Sequence, residues 1–101
     1  MDHALFPVAI GDHVQLSKTL TETDVTLFTA VSGDFDPIHV DEAYARTTPF
    51  GRRIAHGLLA MALLSGTASL MSAKARARGF AGTSVSLGYD RIRFVHPAFI
   101  G

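Results

Sequence analysis

Asp34 and His39 stand five positions apart on either side of a proline turn, and their side chains could form an acid–base pair. The segment from Val31 to Asp41 reads VSGDFDPIHVD, so a helix that ends at Gly33 is followed by a carboxylate and then by an imidazole. A carboxylate and an imidazole that meet in one small volume can hold a water molecule and exchange protons near neutral pH. Spacing alone is weak support, because an isolated Asp or His beside a turn is usually a helix cap or a surface residue.

The helix before this pair is predicted from its capping residues. Thr21 has the position of an N-cap, and Asp24 has that of its N3 partner in a capping box. Leu20 and Val25 suit the hydrophobic staple that often accompanies such a box. A short helix is therefore expected from Glu22 to about Ser32.

The helices after the pair are predicted from hydrophobic pattern. Residues 41–46 suit one helical turn, residues 47–53 read as a loop, and residues 56–77 form a long helical pattern. The first half of the long helix is apolar around most of its circumference, so it must be covered on most sides. Its second half is expected to be a solvated end, rich in the cations Lys74, Arg76 and Arg78.

Two segments alternate in the manner of strands. They are residues 13–20, expected to be a peripheral strand, and residues 83–94, whose change of phase requires a bulge or bend near Asp90–Arg91. Residues 97–101 resemble a turn that leads into another strand. Two strands cannot wrap the long helix, so we expect the cover to come from further strands of a longer parent protein or from another chain.

Composition excludes several classes of protein. The 101 residues include 9 Lys plus Arg against 9 Asp plus Glu and no cysteine, which gives no long-range attraction to nucleic acid and no disulfide framework. The residues around Pro7 do not read as a signal peptide, and the apolar run from Leu58 to Leu64 is shorter than the ~20 residues that span a bilayer. We expect one soluble, cytoplasmic domain. The five histidines lack metal-site spacing, so no metal is expected.

Two motifs resemble a known family. The run SGDFDPIH at residues 32–39, followed by Ala45, resembles the hydratase-2 signature of the MaoC-like, (R)-specific enoyl-CoA hydratases. The run RIAHGLL at residues 53–59 resembles that family's second characteristic stretch, which enters the central helix. Asp36 departs from the signature, which usually has Asn there, and places a second carboxylate near Asp34. The resemblance extends from about Gly11 to the end of the chain.

The resemblance implies an α+β hot-dog fold, in which an antiparallel β-sheet curls around one long apolar helix. Residues 1–101 would then be a single MaoC-like domain that lacks C-terminal strands. It also implies a homodimer with active sites near the subunit interface. The implied reaction is reversible hydration of a trans-2-enoyl thioester of coenzyme A or acyl-carrier protein to an (R)-3-hydroxyacyl thioester. No cofactor is implied beyond the coenzyme A of the substrate.

The resemblance also assigns roles to five residues. Asp34 and His39 would together hold the water. His39 would be the base that converts this water into the attacking hydroxide, and Asp34 would deliver a proton to the substrate. The backbone N–H of Gly57 suits the thioester oxygen, because free N–H groups converge at a helix start. Ser65 would help hold Asp34 or line the acyl tunnel, unless it only bonds its own helix backbone. His56 is either a second site histidine or a structural residue that orients the loop.

Other polar and aromatic side chains have open roles. Arg52 and Arg53, or the cations at the end of the long helix, would meet coenzyme A phosphates or simply be solvated. Tyr44 and Phe50 would border the acyl pocket or serve only in packing.

Two other functions remain open at this stage. One is a hot-dog acyl-CoA thioesterase, which shares the helix and sheet but hydrolyses the thioester. The other is a non-catalytic acyl-thioester-binding module or fragment that keeps the motif without a complete pocket.

Overall fold

The computed structural model describes residues 6–101, which contain four helices: α1 (Glu22–Ser32), α2 (Pro37–Val40), α3 (Glu42–Ala45) and α4 (Gly57–Ala77). The chain divides into two compact units. The site unit comprises Ser17–Ala62 and Arg93–Gly101, and the described part of the second unit comprises residues 6–16 and Leu63–Ile92. The prediction that there is no signal peptide rests partly on residues 1–5, which lie outside the described residues.

Helix α1 begins and ends as its sequence predicts. The Thr21 hydroxyl accepts the Asp24 N–H, and the Asp24 carboxylate accepts the Thr21 N–H, which completes the capping box. Leu20 packs against the cluster that includes Val25, as expected for a staple. Gly33 ends the helix in the left-handed conformation, with φ 74°.

The predicted turn at Asp36–Pro37 is the start of a short helix. Asp36 caps α2 by accepting the Ile38 N–H, and Pro37 occupies the first turn, where its missing N–H costs nothing. Asp41 then caps α3 through the Tyr44 N–H, so the helical turn predicted for residues 41–46 is confirmed.

The core of the site unit joins α1 to the beginning of α4. Val25, Ala55 and Leu59 are buried together, and the side chains packed around them are Leu20, Phe28, Ala98 and Ile100. The segment that precedes α4 is held by the C-terminal residues: the Ala55 N–H donates to the Ala98 carbonyl at 2.7 Å, and Ile54 forms an antiparallel bridge with Phe99. Packing and backbone pairing therefore fix the loop that leads into α4.

Helix α4 confirms the predicted long apolar helix, and several of its leucines are exposed. Leu58 is 61 % exposed, and Leu64 and Leu70 are also exposed. The expected cover is therefore not supplied by the residues that the structure describes. By length and composition alone α4 could also cross a membrane, a property that it shares with the core helices of soluble proteins.

The two predicted strands are not confirmed. Residues 13–20 and 83–94 form no strand in the described part of the chain, whose single β-bridge is Ile54–Phe99. The physical reason is that a strand exists only through a ladder of backbone hydrogen bonds to a neighbour, and among the described residues the one backbone bond to these segments from a distant residue is that from the Gly101 N–H to the Leu20 carbonyl, at 2.8 Å. The bend expected near Asp90–Arg91 is present, since Arg91 adopts φ 56°.

Two cations near the end of α4 contact the N-terminal segment of the second unit. In the second unit Arg78 pairs with Asp12 at 2.6 Å, and Lys74 donates to the His13 carbonyl at 2.9 Å. Arg78 also lowers the pKa of Asp12 to about 2. The expected solvated end is confirmed for Arg76 and Arg78, which are exposed, whereas Lys74 is partly buried.

The Asp24→Asn substitution is expected to destabilise the protein in a pH-dependent way. Hydrogen bonds from Lys18 and Thr21 lower the pKa of Asp24 from 3.8 to about 2. A carboxyl group whose pKa is lowered on folding stabilises above its ordinary pKa and loses that contribution as pH falls through the folded value. The urea midpoint of Asp24→Asn should therefore lie below that of the native protein at neutral pH, and the difference should shrink between pH 3.8 and about 2.

Asp90→Asn is the matched control, since Asp90 is an exposed carboxylate with no hydrogen-bond or ion-pair partner among the described residues. A difference for Asp24→Asn that stays constant from neutral pH down to about 2 would contradict the role of the charge.

Candidate active site

Asp34 is placed by the end of α1. The left-handed Gly33 turns the chain, and the Asp34 N–H donates to the Ser32 hydroxyl at 3.1 Å. That hydroxyl in turn donates to the Phe28 carbonyl at 2.7 Å. The Asp36 N–H donates to Oδ1 of Asp34, which leaves Oδ2 directed to the other groups of the site.

His39 is fixed by a backbone carbonyl on the segment that precedes α4. Its Nδ1 lies 2.8 Å from the Ile54 carbonyl oxygen, and its side chain is 12 % exposed. Because a carbonyl oxygen can only accept, Nδ1 carries the proton, and Nε2 of the neutral ring carries the lone pair. His39 is thus set up to accept a proton at Nε2.

The carboxylate and the imidazole face each other, as the sequence predicts. His39 Nε2 lies 3.8 Å from Asp34 Oδ2, which is too long for a direct hydrogen bond. A water oxygen about 2.8 Å from each atom fits this separation. The two groups can therefore share one solvent molecule, and the side chain of Asp34 is half exposed.

Asp36, the residue that departs from the family signature, has a structural task. Its Oδ1 accepts the Ile38 N–H at 3.0 Å as the N-cap of α2. Asn would serve equally well there, since Asn and Asp are both preferred caps. The substitution of Asp for Asn therefore preserves the turn that presents His39.

His56 is a buried residue in contact with both members of the pair. It is 2 % exposed, its ring stacks on that of His39 at 3.9 Å between centroids, and its Nε2 lies 3.2 Å from the Asp34 carbonyl oxygen. These contacts agree with the structural alternative for His56, in which it orients the loop by hydrogen bonds. Contact with a thioester stays a prediction.

Gly57 begins α4, where its N–H belongs to the unpaired first turn. No acceptor for this N–H lies among residues 6–101. A Cβ at Gly57 would lie 2.9 Å from a ring carbon of Phe94, so the packing of Phe94 also requires glycine here. The role of the N–H toward a thioester oxygen stays a prediction.

Ser65 is exposed and lies on the part of α4 that belongs to the second unit. Its predicted tasks, holding Asp34 or lining an acyl tunnel, stay predictions.

Arg53 is engaged by carboxylates rather than free for phosphates. Its guanidinium donates to both oxygens of Glu22, at 2.8 and 2.7 Å, and to Glu42 at 2.9 Å. It also reaches the His39 carbonyl at 3.4 Å. Hydrogen bonds with Glu22 and Glu42 raise the pKa of Arg53, and the same contact lowers the pKa of Glu22. Arg53 therefore joins α1, α3 and the backbone of His39.

Arg52 lies over the Phe99 ring at 3.8 Å.

A largely apolar cavity of about 340 Å³ lies beside Gly57. Phe50, Ile54 and Phe94 are among its lining residues, whereas Tyr44 lies on α3 with its side chain partly exposed. Neither Asp34 nor His39 lines this cavity.

One atom each from Asp34, His39 and His56 lies within 4.8 Å of the others, a set of donors that could approach a metal ion. One of them, His56, already places Nε2 against the Asp34 carbonyl. The expectation of a metal-free site stays a prediction.

Sequence reasoning missed the hydrogen-bond partners of the two site histidines, most of which are backbone carbonyls. The Ile54 carbonyl fixes His39, the Asp34 carbonyl engages His56, and Thr29 Oγ1 lies 3.4 Å from His56 Nε2. A backbone carbonyl has no sequence signature, so only the fold reveals these contacts.

The fold and geometry define an acid–base site on the loops that precede a long helix, and comparisons with known proteins identify its family. The family model of the MaoC like domain matches residues 6–101. The chain is 38% identical over 92 residues to the (R)-specific enoyl-CoA hydratase of Aeromonas caviae, an alignment that covers 91% of this chain and 63% of that protein. It is 35% identical to the 3-hydroxyacyl-thioester dehydratase Z of Mycobacterium tuberculosis, covering 92% and 60%.

A solved structure is similar as well. The unliganded R-hydratase of Pseudomonas aeruginosa superimposes with a TM-score of 0.72 at 38% identity, covering 96% of this chain and 57% of that one. The chain therefore belongs to the MaoC-like domain family. It spans about 60% of the length of these relatives.

The Arg53→Lys substitution is expected to lower the free energy of unfolding by about 1–2 kcal/mol, because one ammonium group cannot replace a fork that bonds two carboxylates and a carbonyl. Urea denaturation at neutral pH measures the change. Arg46→Lys is the matched control, since Arg46 is exposed at the end of α3. Equal midpoints for the two variants would show that the Arg53 network does not hold the site unit together.

Proposed function

We propose that this chain catalyses the reversible hydration of trans-2-enoyl thioesters to (R)-3-hydroxyacyl thioesters. The observation that carries the proposal is the separation of 3.8 Å between His39 Nε2 and Asp34 Oδ2. It leaves space for one water oxygen between a group that accepts a proton and a group that donates one. The relatives named as an (R)-specific enoyl-CoA hydratase and a 3-hydroxyacyl-thioester dehydratase support the same reaction.

The proposed reaction divides the elements of water between two carbon atoms. His39 Nε2 accepts a proton from the bound water, and the hydroxide adds to C3 of the enoyl group. That proton then passes from His39 to the Asp34 carboxylate, and Asp34 delivers it to C2, which returns both groups to their starting forms. Both transfers occur within one site, which is how a positioned acid and base accelerate such a reaction.

The electrons that leave the double bond during hydration collect on the thioester oxygen. The first-turn N–H of Gly57 is the proposed donor to this oxygen, because the start of an α-helix presents unpaired N–H groups and the positive end of its dipole. Gly57 directly follows His56, so the donor is connected by one peptide bond to a residue that touches both Asp34 and His39.

The proposal includes the architecture that surrounds α4. The exposed leucines of α4 favour a hot-dog arrangement, in which an antiparallel sheet covers the helix, and a homodimer with sites near its interface. The proposed substrates are thioesters of coenzyme A or of acyl-carrier protein. We further propose that the protein works in the cytoplasm, without a cofactor, a metal, a membrane or nucleic acid.

The substitutions Asp34→Asn and His39→Gln are each expected to reduce the hydration rate by about 10²–10⁴-fold, the range for loss of a general acid or base. The assay follows the loss of enoyl absorbance from crotonyl-CoA together with the release of free thiol. Asp90→Asn and His13→Gln are matched controls, because both residues are exposed in the second unit. The controls should hydrate at the native rate.

The same assay separates the competing functions. Loss of enoyl absorbance without thiol supports hydration, whereas thiol release indicates a thioesterase. If the native chain does neither, it is a binding module or a fragment. Hydration at the native rate by either site variant would refute the assignment of Asp34 and His39.

A further inference from the structure

The ring of His56 contacts two other rings. One neighbour is His39, at 3.9 Å between ring centroids and 26° between planes. Phe28 also contacts the His56 ring, at 4.8 Å and 54°. Because His56 is only 2 % exposed, its ring is held by this packing and gives His39 a surface to lie on.

The hydrogen bonds of His56 connect the stack to Asp34. Its Nε2 lies 3.2 Å from the Asp34 carbonyl oxygen and 3.4 Å from Thr29 Oγ1. The carbonyl can only accept, so Nε2 carries the proton in the neutral ring. The buried Nδ1 has no hydrogen-bond partner in the described part of the chain. The only donor that the neutral ring can offer is therefore committed to the backbone of Asp34.

We propose that His56 is a positioning residue that fixes the distance between Asp34 and His39. It restrains Asp34 through the carbonyl and His39 through the ring face, so a single rigid side chain controls both sides of the gap. This inference rests on the proposed hydration, in which both groups act on one water. Displacement of a reacting group by about 1 Å can cost about 100-fold in rate.

Two substitutions separate the two contacts. His56→Phe keeps a ring for His39 to stack on but removes the hydrogen bond to Asp34. His56→Gln keeps an amide donor for that bond but removes the ring. Each is expected to reduce kcat by about 10- to 100-fold while KM for crotonyl-CoA changes little, because the contacts position reacting groups and do not bind substrate. His13→Phe and His13→Gln are matched controls at an exposed position in the second unit.

Proton NMR measures the contact between the His56 and His39 rings directly and does not depend on activity. The ring of His56 should shift the ring protons of His39 upfield. That shift should persist in His56→Phe and disappear in His56→Gln, with circular dichroism reporting that the helices are retained. In the native protein, nuclear Overhauser effects should connect the ring protons of the two histidines.

The outcomes are distinct from those of the proposed function. If the native chain does not hydrate crotonyl-CoA, the proposed function fails. The NMR comparison of the His56 variants still tests whether His56 positions His39. Native kcat in both His56 variants would overturn the inference, as would unchanged His39 ring shifts in His56→Gln. If neither variant folds, absence of the Overhauser effects in the native protein overturns it and their presence supports it.

Discussion

The site depends first on the hydrogen bond between His39 Nδ1 and the Ile54 carbonyl, which is 2.8 Å long. It fixes the tautomer of the imidazole, because the carbonyl accepts the only proton of the neutral ring and leaves the lone pair on Nε2. It also fixes the direction of the ring. If the bond were absent, the same two residues could stand equally close and still present the wrong nitrogen to Asp34.

The remainder of the site unit keeps that carbonyl in place. The Ile54 N–H donates to the Ile38 carbonyl at 3.2 Å, and the neighbouring Ala55 N–H donates to Ala98 at 2.7 Å. Arg53 then holds the same segment to α1 and α3 through Glu22 and Glu42. Backbone hydrogen bonds and the ion pairs of Arg53 thus position His39, whereas the side chain of Asp34 stays half exposed.

Helix ends and bends could be predicted from the sequence, because they are made by residues close together in the chain. The capping box at Thr21 and Asp24, the stop at Gly33 and the bend near Arg91 depend on neighbours within a few residues, and all are present. The facing of Asp34 and His39 followed from the same short segment together with the family resemblance.

The predicted strands depended on partners far away in sequence, and the described residues do not provide them. The stack of His56 on His39 and the bond to Ile54 were likewise beyond sequence reasoning, because they join α2 to the segment before α4.

In this site His39 carries its proton on Nδ1 and directs the lone pair of Nε2 toward Asp34. Long-range proton–nitrogen correlation NMR of the native chain at about pH 9, well above the ordinary pKa of an imidazole, measures this directly. The structure predicts a protonated Nδ1 and an unprotonated Nε2 for His39. A spectrum in which Nε2 of His39 bears the proton would contradict the account, since the site would then have no base facing Asp34.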